Sequence, residues 1–139
     1  MAELNYLPAS AADVDDTAFS NVKLPGHTYK LDIERGCIRG FTDKADAVLQ
    51  AVYLALSIER YKYSIYSRNY GVELNDLIGK PRDYAMSEIE RRITGALLVD
   101  DRIKSVDGWN FETLNSAVRV AFTVHTIYGD IETTKEVDV

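Results

Sequence analysis

Residues that carry chemistry are scarce in this chain. Among 139 residues there are one cysteine, Cys37, and two histidines, His27 and His125. A lone cysteine closes no intramolecular disulfide and brings no companion ligands, so the sequence predicts a reducing compartment, with no metal and no cofactor. No Gly-rich phosphate loop, HExxH or CxxC occurs. No apolar run approaches the roughly 18 residues that cross a bilayer. The N-terminus shows no basic region followed by an apolar stretch, so neither a membrane partner nor a secretory signal is expected. Positive charge is short as well: 16 Lys and Arg against 22 Asp and Glu leave a formal charge of −6. That balance argues against wrapping a nucleic acid over the whole surface. What remains is ordinary for a globular domain, 46% hydrophobic and 27% charged residues.

Along the chain, residues 1–27 hold Pro8, Pro25 and a small, acidic stretch without sustained periodicity, and read as an extended N-terminal arm. Leu4, Tyr6 and Leu7 would anchor such an arm on a neighbour. Residues 28–139 read as a single α+β domain. Tyr29, Leu31 and Ile33 alternate, Arg35-Gly36 turns the chain, and Cys37-Ile38-Arg39 completes a hairpin. Thr42 stands at the N-cap position of a helix predicted over Asp43 to Ser64, with Gln50 and Ser57 on its wet side. A short helix over Val72 to Ile78 ends at Gly79, and another runs from about Pro81 to Leu98 with Ala85, Ile89, Ile93, Ala96 and Leu97 on one line. Beyond Asp101 the period changes to that of an antiparallel meander. Asp107-Gly108 marks a bulge, and Val118, Val120, Phe122 and Val124 alternate cleanly. The last strand, Ile131 to Val139, is mixed and charged, as suits a sheet edge. Such an edge either deters pairing or accepts a strand from another chain, and both readings stand at this point.

Glu59 is the residue that breaks pattern. At about 100° per residue it falls on the line of Val48, Val52 and Ala55, where a carboxylate is costly unless a cation or several N–H donors meet it. A hydrolase would draw on Glu34, Glu59 and Glu73, but sequence brings no two of them together, and a structural ion pair or surface charge is the better account. Cys37 with His27 or His125 makes a nucleophile–base pair only on paper, and His125 falls on the outer alternation of its strand. Next to Glu59, Arg60, Lys62 and Arg68 interleave with Tyr61, Tyr63, Tyr66 and Tyr70. Such a stretch serves stacking on nucleic acid or a protein interface, and the acidic total favours the interface.

These residues carry a resemblance. The helix ending in Ser57-Ile58-Glu59-Arg60, followed by Tyr70-Gly71-Val72-Glu73-Leu74, is similar to the baseplate wedge protein of contractile phage tails. In that family an apolar helix ends in a Gly-Glu-Arg or Glu-Pro-Arg motif, and a Phe-Gly-x-x-Leu-like segment follows. The run Ile65 to Leu74 most resembles the variant from phages, defective prophages and phage-tail-like bacteriocins of Gram-positive bacteria, and the likeness extends over residues 29–127. It implies a structural, non-enzymatic subunit of the virion tail baseplate, made in the host cytoplasm. Its implied partners are the larger baseplate wedge subunits, the tail sheath protein and, more remotely, hub or tube-initiator proteins, with no nucleic acid. Glu59 and Arg60 would hold the wedge contact, with Tyr66, Asn69, Tyr70 and Gly71 shaping the same site. Ile131, Thr133, Lys135 and Val137 lie on the strand that would pair with sheath. The alternatives are a lysozyme-like hydrolase that degrades cell walls and an unrelated adaptor that pairs with peptide strands.

Overall fold

The computed structural model describes residues 26–139. The expected arm, including Leu4, Tyr6 and Leu7, therefore lies outside the described residues up to residue 25. From Gly26 onward the fold is α+β. A hairpin of β1 (Thr28–Asp32) and β2 (Cys37–Thr42) leads into helix α1 (Lys44–Ser57). A 3-10 turn at Asn75–Leu77 precedes helix α2 (Arg82–Leu97). Strands β3 (Ile103–Thr113), β4 (Ala117–Thr126) and β5 (Gly129–Asp138) then form an antiparallel sheet in the order β3-β4-β5.

The core forms where the apolar stripes of both helices meet one face of that sheet. Val48, Val52 and Leu56 come from α1, and Ile89, Ile93, Ala96 and Leu97 from α2. Val118, Val120, Phe122 and Val124 come from β4. Burying each large aliphatic side chain contributes about 1.5–3 kcal/mol. Period 2 on β4 and period 3.6 on α2 therefore decide which face each element turns inward. Gly108 sits at φ 67° where the β3–β4 register shifts between Asp107 and Asn110, so the bulge expected at Asp107-Gly108 is present.

Two expectations near α1 need correction. Its N-cap is Asp43, whose carboxylate accepts from the Lys44 N–H at 2.7 Å. Thr42 is instead the last residue of β2, paired with Thr28, so its backbone is already committed to the hairpin. Gln50 is not on a wet side. Its amide donates to the Tyr29 carbonyl and accepts from the Leu31 N–H, both at 2.8 Å. It takes the part of a neighbouring strand for β1 and ties the two-stranded hairpin, marginal on its own, to the helix.

The sheet's outer face carries two charged cross-strand clusters. Arg119 on β4 reaches Glu112 on β3 at 3.1 Å and Glu136 on β5 at 2.7 Å. His125, farther along β4, bonds Asp130 through Nδ1 and Asp107 through Nε2, each at 2.7 Å. These two carboxylates, Asp130 foremost, raise the imidazole above its ordinary value of 6.5. Because the folded value is the higher one, the stabilisation is complete below about pH 6.5 and is lost as pH rises through the raised pKa. Melting temperature at low salt is accordingly expected to fall as pH rises above about 6.5 and through the raised value, and His125→Gln is expected to flatten that slope. A wild-type slope that persists in His125→Gln would assign the effect elsewhere.

Candidate interaction site

Helix α1 stops seven residues short of its expected end at Ser64. The Ser57 hydroxyl donates back to the Tyr53 carbonyl at 2.7 Å, a bond that competes with continuing the helix. Ile58 is then extended, at φ −103° and ψ 123°. Glu59 and Val72 form a parallel bridge, in which the Arg60 N–H donates to the Val72 carbonyl (3.3 Å) and the Val72 N–H to the Ile58 carbonyl (3.0 Å). Burial overrides helix propensity here, because the bridge delivers Val72, Leu74 and Leu77 to the core. The same bridge explains why the expected helix over Val72 to Ile78 shrinks to the 3-10 turn Asn75–Leu77.

Glu59 is thus beyond the helix and half-buried at the foot of a loop. Its two carboxylate oxygens accept from the N–H groups of Leu74 (3.3 Å) and Asn75 (3.4 Å), the donors at the start of the 3-10 turn. Among the described residues no Lys or Arg makes an ion pair with it. Of the two ways to accommodate the charge, N–H donors are the one used among the described residues.

Arg92, a residue to which the sequence assigned no role, fastens the other side of that turn. Its guanidinium donates to the Glu73 carbonyl at 2.8 Å, pairs with the Asp76 carboxylate, and donates to Glu88 at 3.0 Å. The bond from Arg92 holds the Asp76 carboxyl below the usual carboxylate range, and Arg91 with Arg92 brings Glu88 down to about 2. The i, i+4 spacing of Glu88 and Arg92 is visible in the sequence, but the reach to residues 73–76 is not.

Between the bridge residues the chain folds into a compact loop of the Ω type. Arg60 Nε donates across it to the Arg68 carbonyl at 2.8 Å. Successive turns close at Tyr63–Tyr66 and Ser67–Tyr70. Tyr66 stacks on Tyr70 with centroids 4.8 Å apart, and Tyr63 meets Tyr66 edge-on at 6.3 Å. Burial and the neighbouring Tyr66 push the Tyr70 phenol up. Gly71, buried at the loop's end, takes φ 91°. The expected residues Glu59, Arg60, Tyr66, Asn69, Tyr70 and Gly71 therefore share one loop.

Strand β5 faces that loop across a groove of about 320 Å³, lined by Glu59, Lys62 and Tyr63 on one side and by Lys135 to Asp138 on the other. Ile131 and Thr133 are not part of it. Ile131, Thr133, Lys135 and Val137 alternate toward the helices, half-buried or buried, whereas Glu132, Thr134, Glu136 and Asp138 are exposed. The other carboxylates weighed for hydrolysis lie apart, Glu34 in the β1–β2 turn and Glu73 exposed before the 3-10 turn. Cys37 is near that same β1–β2 turn, while His27 stacks on Phe41 at the hairpin's opposite end.

Residues 21–129 match the family model of the contractile injection system sheath initiator. The chain is also similar to the phage-like element PBSX protein XkdS of Bacillus subtilis (strain 168). The two are 41% identical over 117 residues, 81% of this chain and 83% of that protein. A family match over most of the chain, together with a relative of this identity and coverage, places it: the chain belongs to the contractile injection system sheath initiators, structural proteins of contractile phage tails.

Proposed function

We propose that this protein sits in the baseplate of a contractile tail, joins the larger wedge subunits around the hub, and starts the first sheath ring by strand addition. The observation that carries the sheath half is the open edge of β5. Its ten residues pair with β4 along their whole length and have no strand on the far side among the described residues. Backbone groups along such an edge recruit a strand without needing any one side chain. That accords with Ile131, Thr133, Lys135 and Val137 turning inward, since their contribution is through the main chain. The family match ends at Gly129, where β5 begins, so strand addition rests on topology and not on the match. The wedge half rests on the 60–71 loop, which borders the same groove as the end of β5. A structural role also suits Glu59, whose carboxylate is engaged by backbone N–H groups at the foot of that loop.

Hydrogen exchange tests the strand. With purified sheath subunit added, alternate amides of β5 are expected to exchange about tenfold more slowly or better. Sheath binding that leaves β5 exchange unchanged would move the contact to another surface.

A further inference from the structure

The loop at residues 60–71 divides into a base that is satisfied within the chain and a tip that, among the described residues, is left exposed. At the base, the Glu59–Val72 bridge, the carboxylate of Glu59 and buried Gly71 all have their partners in this chain. At the tip every residue from Tyr61 to Asn69 is exposed. Ile65 is 83% exposed, more than any other large apolar side chain among the described residues, and Tyr61 and Tyr63 are 62% and 48% exposed. Scattered apolar residues on a surface need no explanation. Here they crowd onto one short loop whose shape is set in advance by the Arg60 bond to Arg68 and by the Tyr63–Tyr66–Tyr70 stack. Tyr61 is held at φ 67°, a left-handed conformation that a side chain of its size adopts rarely, with the Arg60 guanidinium 5.1 Å from its ring centroid. Rigid aromatic side chains on a preformed loop lose little entropy on docking, which is what makes anchors of them.

The loop's charge is one-sided. Residues 60–72 include Arg60, Lys62 and Arg68 and no carboxylate, in a chain of net charge −6. None of these three cations forms an ion pair among the described residues.

We infer that the loop tip inserts Ile65, flanked by Tyr61 and Tyr63, into an apolar pocket of a protein surface rimmed with carboxylates, while Glu59 and Gly71 act as positioning residues that never touch the partner. This deepens the wedge contact proposed above and rests on it. It reverses the part assigned to Glu59: the negative charge fixes the loop from inside, and the complementary charges across the interface are the loop's cations and the partner's acids.

The test measures the affinity of the full-length protein for the purified larger wedge subunits of the same particle, with melting temperature recorded for each variant. Ile65→Ser is expected to weaken binding by about tenfold or more without lowering melting, as befits an exposed anchor; affinity within about twofold of wild type overturns the anchor. The double variant Lys62→Glu, Arg68→Glu is expected to weaken binding and flatten its salt dependence; an unchanged salt dependence overturns the acidic rim. Glu59→Gln keeps an oxygen for the turn's N–H groups and is expected to bind within about threefold of wild type, whereas Glu59→Ala loses much more. Equal losses in the two would mean that the charge itself meets a partner's cation, and would overturn the positioning role. Wild-type protein that fails to bind the wedge subunits removes the wedge contact along with this inference. Binding instead to a single-stranded oligonucleotide, lost on Lys62→Glu, Arg68→Glu, would assign the tip to nucleic acid and overturn it as well.

Discussion

Gly71→Ala is expected to destabilise the protein by about 2–4 kcal/mol and to release the 60–71 loop from its base. Two costs combine. At φ 91° an alanine is strained wherever it sits, and a Cβ at this position would lie 2.6 Å from the Ile58 carbonyl oxygen and 3.2 Å from the Arg60 nitrogen. Both neighbours are backbone atoms of the Glu59–Val72 bridge, so neither yields by rotating a side chain. Relief requires opening the bridge, and with it the contacts that carry Val72 and Leu74 into the core. Gly79 is the control. It has a similar φ of 82°, yet nothing lies within 4 Å of where its Cβ would be. Gly79→Ala is therefore expected to cost only the conformational part, about 1 kcal/mol. Thermal melting of the two variants, with hydrogen exchange at Val72, separates the terms. Equal losses at both glycines would show that the close approach at residue 71 carries no weight.

Phe122→Ala is expected to cost about 3–5 kcal/mol, roughly 10 °C or more in melting temperature, the largest effect of any single truncation considered. Phe122 lies at the middle of the central strand, fully enclosed, with its ring 4.9 Å from that of Trp109. Removing it leaves a cavity in the hydrophobic core. That cavity has little scope to collapse, because β4 is paired on both sides along most of its length. Trp109 is the chain's single tryptophan, so its fluorescence reports the site without labelling. A red shift in the native state is expected if water reaches the ring. Phe41→Ala, at an exposed ring stacked on His27 and Tyr29, is expected to change stability by well under about 1 kcal/mol.

The contrast between these two sites tells what was legible in the sequence. The inward face of β4 could be read directly, because strict alternation over Val118 to Val124 has one satisfactory burial. The α2 stripe could be read for the same reason, and Ala85, Ile89, Ile93, Ala96 and Leu97 are all buried. Glu59 drew attention for a sound reason, the cost of a carboxylate on an apolar line, yet the line itself did not continue that far. Periodicity is blind to a non-local competitor, and here a bridge to residue 72 ended the helix at Ser57. Gln50 misled likewise, since a polar side chain reads as a wet position until a hairpin supplies two backbone groups for it. The tyrosine-rich run was identifiable as an interface stretch by composition. Which of its members hold the loop and which stand free depends on the stack, the cross-loop arginine bond and the bridge, none of which local spacing encodes.

The outer face of the sheet bears six carboxylates, from Asp107, Glu112, Asp130, Glu132, Glu136 and Asp138. Four of the six lie on β5, the strand with the open edge. Two copies brought edge to edge would set those acid rows side by side, and the repulsion disfavours self-polymerisation. A chain with cations at matching places meets no such barrier. The strand proposed to start a sheath is in this way disfavoured from pairing with its own copies, and a partner strand carrying cations at matching places is preferred.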